Sequence, residues 1–97
     1  MRSLALSLIE KGKITTTEAK AKTLRPFVEK LVTAGKMKNL SRERLVRKRL
    51  GGNDAGGSRI LNEISPRYAN RHGGYTRITK IAPKKSDGRK MAVIEFV

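Results

Sequence analysis

Cysteine is absent from this 97-residue chain, which excludes disulfides and thiolate metal sites. Tryptophan is absent too, and the aromatic content is two Tyr and two Phe. That is too little for a platform of rings on which single-stranded nucleic acid stacks. There is one histidine, His72, and the acids stand singly at Glu10, Glu18, Glu29, Glu43, Asp54, Glu63, Asp87 and Glu95. They offer no recognisable acid–base pair and no cluster at metal-ligand spacing. The glycines fit neither G-x-G-x-x-G nor a P-loop. The sequence therefore reads as non-enzymatic, with no cofactor, no metal and no small-molecule substrate. No apolar run approaches the ~18 residues of a membrane span. Met1 to Ile9 mimics a signal peptide, but Glu10-Lys11-Gly12-Lys13 follows without a small-residue cleavage pattern, and an amphipathic first helix is the better reading.

What the chain has in excess is positive charge. Twenty-three Lys and Arg against eight Asp and Glu give a formal net charge of +15, where a small domain usually carries about 2–8. Such a chain repels itself unless a polyanion neutralises it. Nucleic acid is the leading partner, ahead of an anionic membrane and an acidic protein. Hydrophobic residues at 37% suffice for one modest core, so residues 1–97 read as a single domain without internal repeats.

Leu4, Ala5, Leu8 and Ile9 recur at one-turn spacing, in a helix ending near Gly12. Lys13-Ile14-Thr15 reads as a short edge strand. A long helix follows, with Thr15 and Glu18 as a capping box and Thr16 and Thr17 as rival caps. Its buried stripe is Ala21, Leu24, Phe27, Val28, Leu31 and Val32, and Pro26 predicts a kink. Gly35 to Asn39 reads as a loop. Ser41 then caps a helix to Leu50, with Leu45, Val46 and Leu50 inward. Gly51 to Gly57 reads as a mobile loop, Ser58 as the cap of a helix over Arg59 to Ile64, and Pro66 as the start of a further turn. Strands over Tyr75 to Ile81 and Met91 to Val97 flank a turn at Asp87-Gly88. Alternation puts Ala92, Ile94 and Phe96 on one face of the last strand.

Two segments carry the candidate site. In Arg71-His72-Gly73-Gly74-Tyr75-Thr76-Arg77-Ile78, paired glycines allow close approach of the main chain to an anion, and Arg71 and Arg77 supply planar donors that suit phosphate. The bland alternative is a turn that needs positive φ. In Lys13-Ile14-Thr15-Thr16-Thr17, hydroxyls and free N–H groups at a helix start would face phosphate together with Lys20. Tyr68 and Tyr75 could stack on a base, although aromatic rings more often serve packing. The cations Arg42, Arg44, Arg47, Lys48 and Arg49 outnumber the one Glu43 on their helix, which favours an RNA-facing side over a merely solvated one.

The same segments, with Ala19-Lys20-Ala21-Lys22, Leu24-Arg25 and Pro66-Arg67-Tyr68, resemble the family of bacterial large-ribosomal-subunit protein number seventeen over about Met1 to Val97. The resemblance implies an α+β fold in two layers, about four helices packed on one side of a small mixed sheet that ends in a C-terminal antiparallel hairpin. It implies a non-catalytic protein of the large subunit that clamps folded ribosomal RNA through Lys13, Thr15, Thr16, Thr17, Lys20, Lys22, Arg25, Arg67, Tyr68, Arg71, Gly73, Gly74, Tyr75 and Arg77. It further implies the bacterial cytoplasm rather than an organelle, and neighbouring large-subunit proteins near the exit region. Two departures from the family pattern are expected: the basic extension of some twenty residues that usually opens family members does not precede Met1-Arg2-Ser3-Leu4, either because the start is placed late or because this version lacks the arm, and Gly51-Gly52 and Gly56-Gly57 shorten a helix. A basic DNA-compacting protein is the competing reading. A membrane-surface protein fits less well, because the apolar helix faces are needed by a shared core.

Overall fold

A computed structural model of the chain describes residues 2–37, 39–52, 54–82 and 90–97. Helix α1 (Arg2–Lys11) leads into strand β1 (Lys13–Thr17) and the long helix α2 (Glu18–Lys36). Helices α3 (Leu40–Arg49) and α4 (Asp54–Arg59) follow. The chain then widens into a π-helical stretch, Ile60–Ile64, and closes with the turn α5 (Ser65–Arg67), its backbone staying right-handed helical through Arg59, Ile64 and Ser65. Strands β2 (Thr76–Ile81) and β3 (Met91–Phe96) complete the fold. Among the described residues no helix is long and apolar enough to cross a membrane.

The sheet order is β1-β3-β2, and β3 runs antiparallel to both neighbours. The α+β architecture is the expected one, with the difference that the sheet is antiparallel throughout instead of mixed. Alternation along the strands divides its two faces. Ile14, Ile94 and Ile78 share one row of the inner face, where Ile94 and Ala92 are fully buried. Lys13, Glu95 and Arg77 share one row of the outer face, with Thr15, Val93 and Thr79 in the next. Helix α2 lies against the inner face and carries α3, the π-helical stretch and α5 on its other sides, while α1 packs beside β1. Its predicted stripe is the core: Ala21, Leu24, Val28, Leu31 and Val32 are buried, and Phe27 packs on them half-buried.

The differences from sequence expectation cluster at glycines and caps. Strand β1 is two residues longer than predicted, because Thr16 and Thr17 pair with Ala92 and Met91. Thr17 is the N-cap of α2, its hydroxyl accepting the Lys20 N–H at 3.2 Å. Helix α2 runs through Pro26 and past Gly35 to Lys36. Gly35 does not open a loop: it is buried where α2 meets the π-helical stretch and α5, and a Cβ there would overlap Ser65 Oγ and stand 3.1 Å from Ile60 Cγ2. Asn39, not Ser41, caps α3, with its Oδ1 accepting the Arg42 N–H at 2.9 Å. The glycine tract is only half a loop. Gly51 and Gly52 take positive φ, but α4 starts at Asp54, so Gly56 and Gly57 are buried helical residues and Ser58 is interior, not a cap. A Cβ on Gly57 would come within 2.8 Å of Arg47 Cγ, which shows how closely α4 passes α3. The Asp87-Gly88 turn lies outside the described residues.

Candidate nucleic-acid interface

Three basic surfaces emerge. The first is the N-terminal end of α2. There β1 ends at Thr17, β3 begins at Met91 and β2 ends at Ile81. The Glu18 N–H donates to the Lys90 carbonyl at 2.8 Å, which ties the start of α2 to the entry of β3. Lys22 and Lys80 reach the Glu18 carboxylate at 3.0 and 3.5 Å. The hydrogen bond from Lys22 leads the effects that hold Glu18 below the ordinary 4.5. Lys20 is exposed and in no ion pair with a described residue. Two lysines, Lys22 and Lys80, thus hold one carboxylate at a helix terminus that is itself partly positive, and exposed Lys20 and Lys90 lie at the same end of the fold. Sequence reasoning singled out Lys20 and Lys22 here and passed over Lys80 and Lys90. The hairpin signal placed those two near each other, but nothing in the sequence showed that β3 would deliver them to the α2 start.

The threonines do not act together as expected. Thr15 and Thr16 are strand residues whose side chains alternate, so Thr15 is exposed on the outer face and Thr16 is buried on the inner one. Thr17 spends its hydroxyl on the cap.

The second surface is α3. Arg42, Arg44, Lys48 and Arg49 are exposed, and among the described residues none of them is in an ion pair. Arg47 is half-buried and engaged.

The third surface surrounds the glycine turn, and its residues face different ways. Gly73 and Gly74 both adopt positive φ, 95° and 64°, where a side chain is strained. Tyr75 beyond them is buried: its ring meets Tyr68 at 5.2 Å, and Lys36 Nζ lies 4.7 Å from its centroid. Its hydroxyl donates to the Arg71 carbonyl and accepts from Thr33, each at 3.2 Å. Burial pushes that phenol up, but hydrogen bonding by Lys36, Thr33 and Gly73 outweighs it and brings the group below its ordinary value. Tyr68 is buried as well, with its hydroxyl donating to the Val97 carbonyl. Both rings thus serve the core. Arg67, Arg71 and His72 are exposed, and the Arg71 guanidinium lies beside Gly74, 3.7 Å from where a Cβ there would stand. Arg77 is exposed but clamped to Glu95 at 2.7 Å, in the row that also holds exposed Lys13. Arg25 is likewise held, by Glu29 at 3.1 Å.

Glu29 pins the turn to α2. One carboxylate oxygen accepts the Gly74 N–H at 3.2 Å, and the other accepts the Thr76 hydroxyl at 2.9 Å and Arg25. Burial raises its pKa, but the bonds from Arg25, Thr76 and Gly74 together outweigh that and set it below 4.5. A depressed carboxylate contributes stability that is present above its unfolded value and lost as pH falls through its folded one. Glu29→Gln should therefore cost about 1–2 kcal/mol at neutral pH. Its melting temperature should also fall less steeply than the parent's below 4.5, with Glu18 supplying the remaining slope. Thermal melts across that range check both, and parallel pH profiles would remove Glu29 from this role.

Among the described residues no group of His, Cys, Asp or Glu could hold a metal ion. The surfaces offer cations and one helix terminus, which is chemistry for binding anions.

The family model described as "Ribosomal protein L17" matches residues 1–97. The large ribosomal subunit protein bL17 of Gemmatimonas aurantiaca is 50% identical over 97 residues, covering 100% of this chain and 81% of the relative. That of Nautilia profundicola is 46% identical over 100 residues, covering 100% and 82%. That of Persephonella marina is 49% identical over 96 residues, covering 98% and 77%.

Proposed function

The chain belongs to the ribosomal protein L17 family of the bacterial large subunit, and on that premise we propose that it binds and stabilises folded large-subunit ribosomal RNA through phosphate contacts. The family is structural, not enzymatic, and its setting is the ribosome of the bacterial cytoplasm. The observation that carries the RNA reading is the division among its cations. Lys22, Arg25 and Arg77 are occupied by Glu18, Glu29 and Glu95. Arg42, Arg44, Lys48 and Arg49 on α3, and Lys20 at the α2 start, are exposed without an ion pair among the described residues. Cations held within the protein orient side chains, while free ones can displace counterions from phosphates. Contacts of this kind fix position on RNA and carry little sequence information. Neighbouring proteins of the subunit near the exit region would meet the remaining surface.

Lys20→Glu tests the α2 end. The side chain is exposed, so stability should shift by no more than ~0.5 kcal/mol. Affinity for a ribosomal RNA fragment should drop severalfold or more, since a phosphate then meets a carboxylate. Titration of the RNA beside a thermal melt reads both. Unchanged affinity at normal stability would remove Lys20 from the interface. Duplex DNA competing as well as structured ribosomal RNA would reduce the reading to general polyanion binding.

A further inference from the structure

Between α2 and α3 runs a cleft of about 450 Å³, within the range of small-ligand sites. Its floor is apolar, built from Pro26, Ala34 and Leu45, and its rim carries Lys30, Arg42 and Arg49. The rim cations are exposed and in no ion pair among the described residues. The one acid in the wall, Glu29, is matched by Arg25 and spends both oxygens on Gly74, Thr76 and Arg25. The wall hydroxyl of Thr33 is turned to Tyr75. An occupant must therefore be anionic at its ends and apolar in its middle, and it finds no free side-chain hydrogen-bonding group on the floor.

We infer that this cleft receives a single unstacked RNA nucleotide, with the base against Pro26 and Leu45 and its two flanking phosphates on the rim cations. Arg42, Leu45 and Arg49 stand at i, i+3 and i+7 on α3, so the guanidiniums bracket Leu45 with about 10 Å of helix axis between them. A base has two apolar faces, and a bulged or looped one is free to leave the stack. An acidic peptide is the other occupant with this charge pattern. RNA is favoured because the cleft joins the unpaired cations of α3 that the proposed function already assigns to phosphate, and the inference rests on that reading. With no polar group free on the floor, the cleft accepts a base without reading its edge.

The experiment compares two RNA hairpins of equal nucleotide number, one fully paired and one with a single bulged nucleotide in its stem. The bulged hairpin should bind about tenfold tighter, and bulged uridine and bulged adenosine should bind alike within about threefold. Leu45→Gln keeps the charge but spoils the floor. It should abolish the preference while leaving affinity for the paired hairpin unchanged. Arg49→Gln, at an exposed position, should weaken the bulged hairpin more than the paired one, and it carries the test if Leu45→Gln fails to fold. Equal affinity for the two hairpins overturns the inference while leaving phosphate binding intact, whereas loss of binding to both would strike the functional reading itself. An acidic, leucine-containing peptide that binds the parent in preference to the bulged hairpin, and is lost in Arg49→Gln, would also overturn it and give the cleft to a protein segment.

Discussion

Gly35→Ala should destabilise the protein by about 1–3 kcal/mol, even though alanine is the better helix former by ~1 kcal/mol. The added methyl would overlap Ser65 Oγ and press on Ile60 Cγ2 at 3.1 Å. Ser65 cannot swing away without cost, because it is fully buried and its hydroxyl donates to the Val32 carbonyl at 2.9 Å. Ser65→Ala alone gives up that bond, worth ~1 kcal/mol. The two changes occupy one contact, so the double variant should be less destabilised than the sum of the singles. Urea melts of all four proteins measure this. A Gly35→Ala variant as stable as the parent would mean that the helices need not approach so closely.

The largest effect on binding is expected from α3. Replacing Arg42, Arg44, Lys48 and Arg49 by glutamine removes four exposed cations that no described acid holds. If each meets a phosphate with a log–log salt slope of ~0.7–0.9, affinity for structured ribosomal RNA at about 0.15 M salt should fall on the order of a hundredfold. The melting temperature should barely change, since exposed substitutions usually cost under ~0.5 kcal/mol. Normal melting with undiminished affinity would show that α3 faces away from RNA.

Periodicity made much of this fold legible before the structure. The core stripe of α2 is a 3.6-residue repeat, and the alternation of β3 assigned Ala92 and Ile94 inward because both patterns are local. Glycine defeated the same reasoning at Gly35, Gly56 and Gly57. The residue serves sharp turns and close helix contacts equally, and the neighbour that decides, Ser65 for Gly35, lies thirty residues away. Asn39 and Ser41 are equally good caps by type, so only the start of α3 could choose between them. The candidate site was legible as charge but not as geometry. Spacing of four residues could have warned that Lys22 and Arg25 would pair with Glu18 and Glu29. The pairing of Arg77 with Glu95 follows from the register of the β2–β3 hairpin, which strand patterning alone did not fix. The inward turn of Tyr75 reflects a ring that finds Tyr68, Lys36 and Thr33 across the fold.

The most direct measurement is the affinity of the parent and of the four-fold α3 variant for one structured ribosomal RNA fragment across a salt series. Displacement of counterions predicts a straight, steep fall of log affinity with log salt in the parent, and a slope smaller by about 3 in the variant, at ~0.7–0.9 for each contact removed. A parent slope near zero, or the same slope in both proteins, would contradict the account.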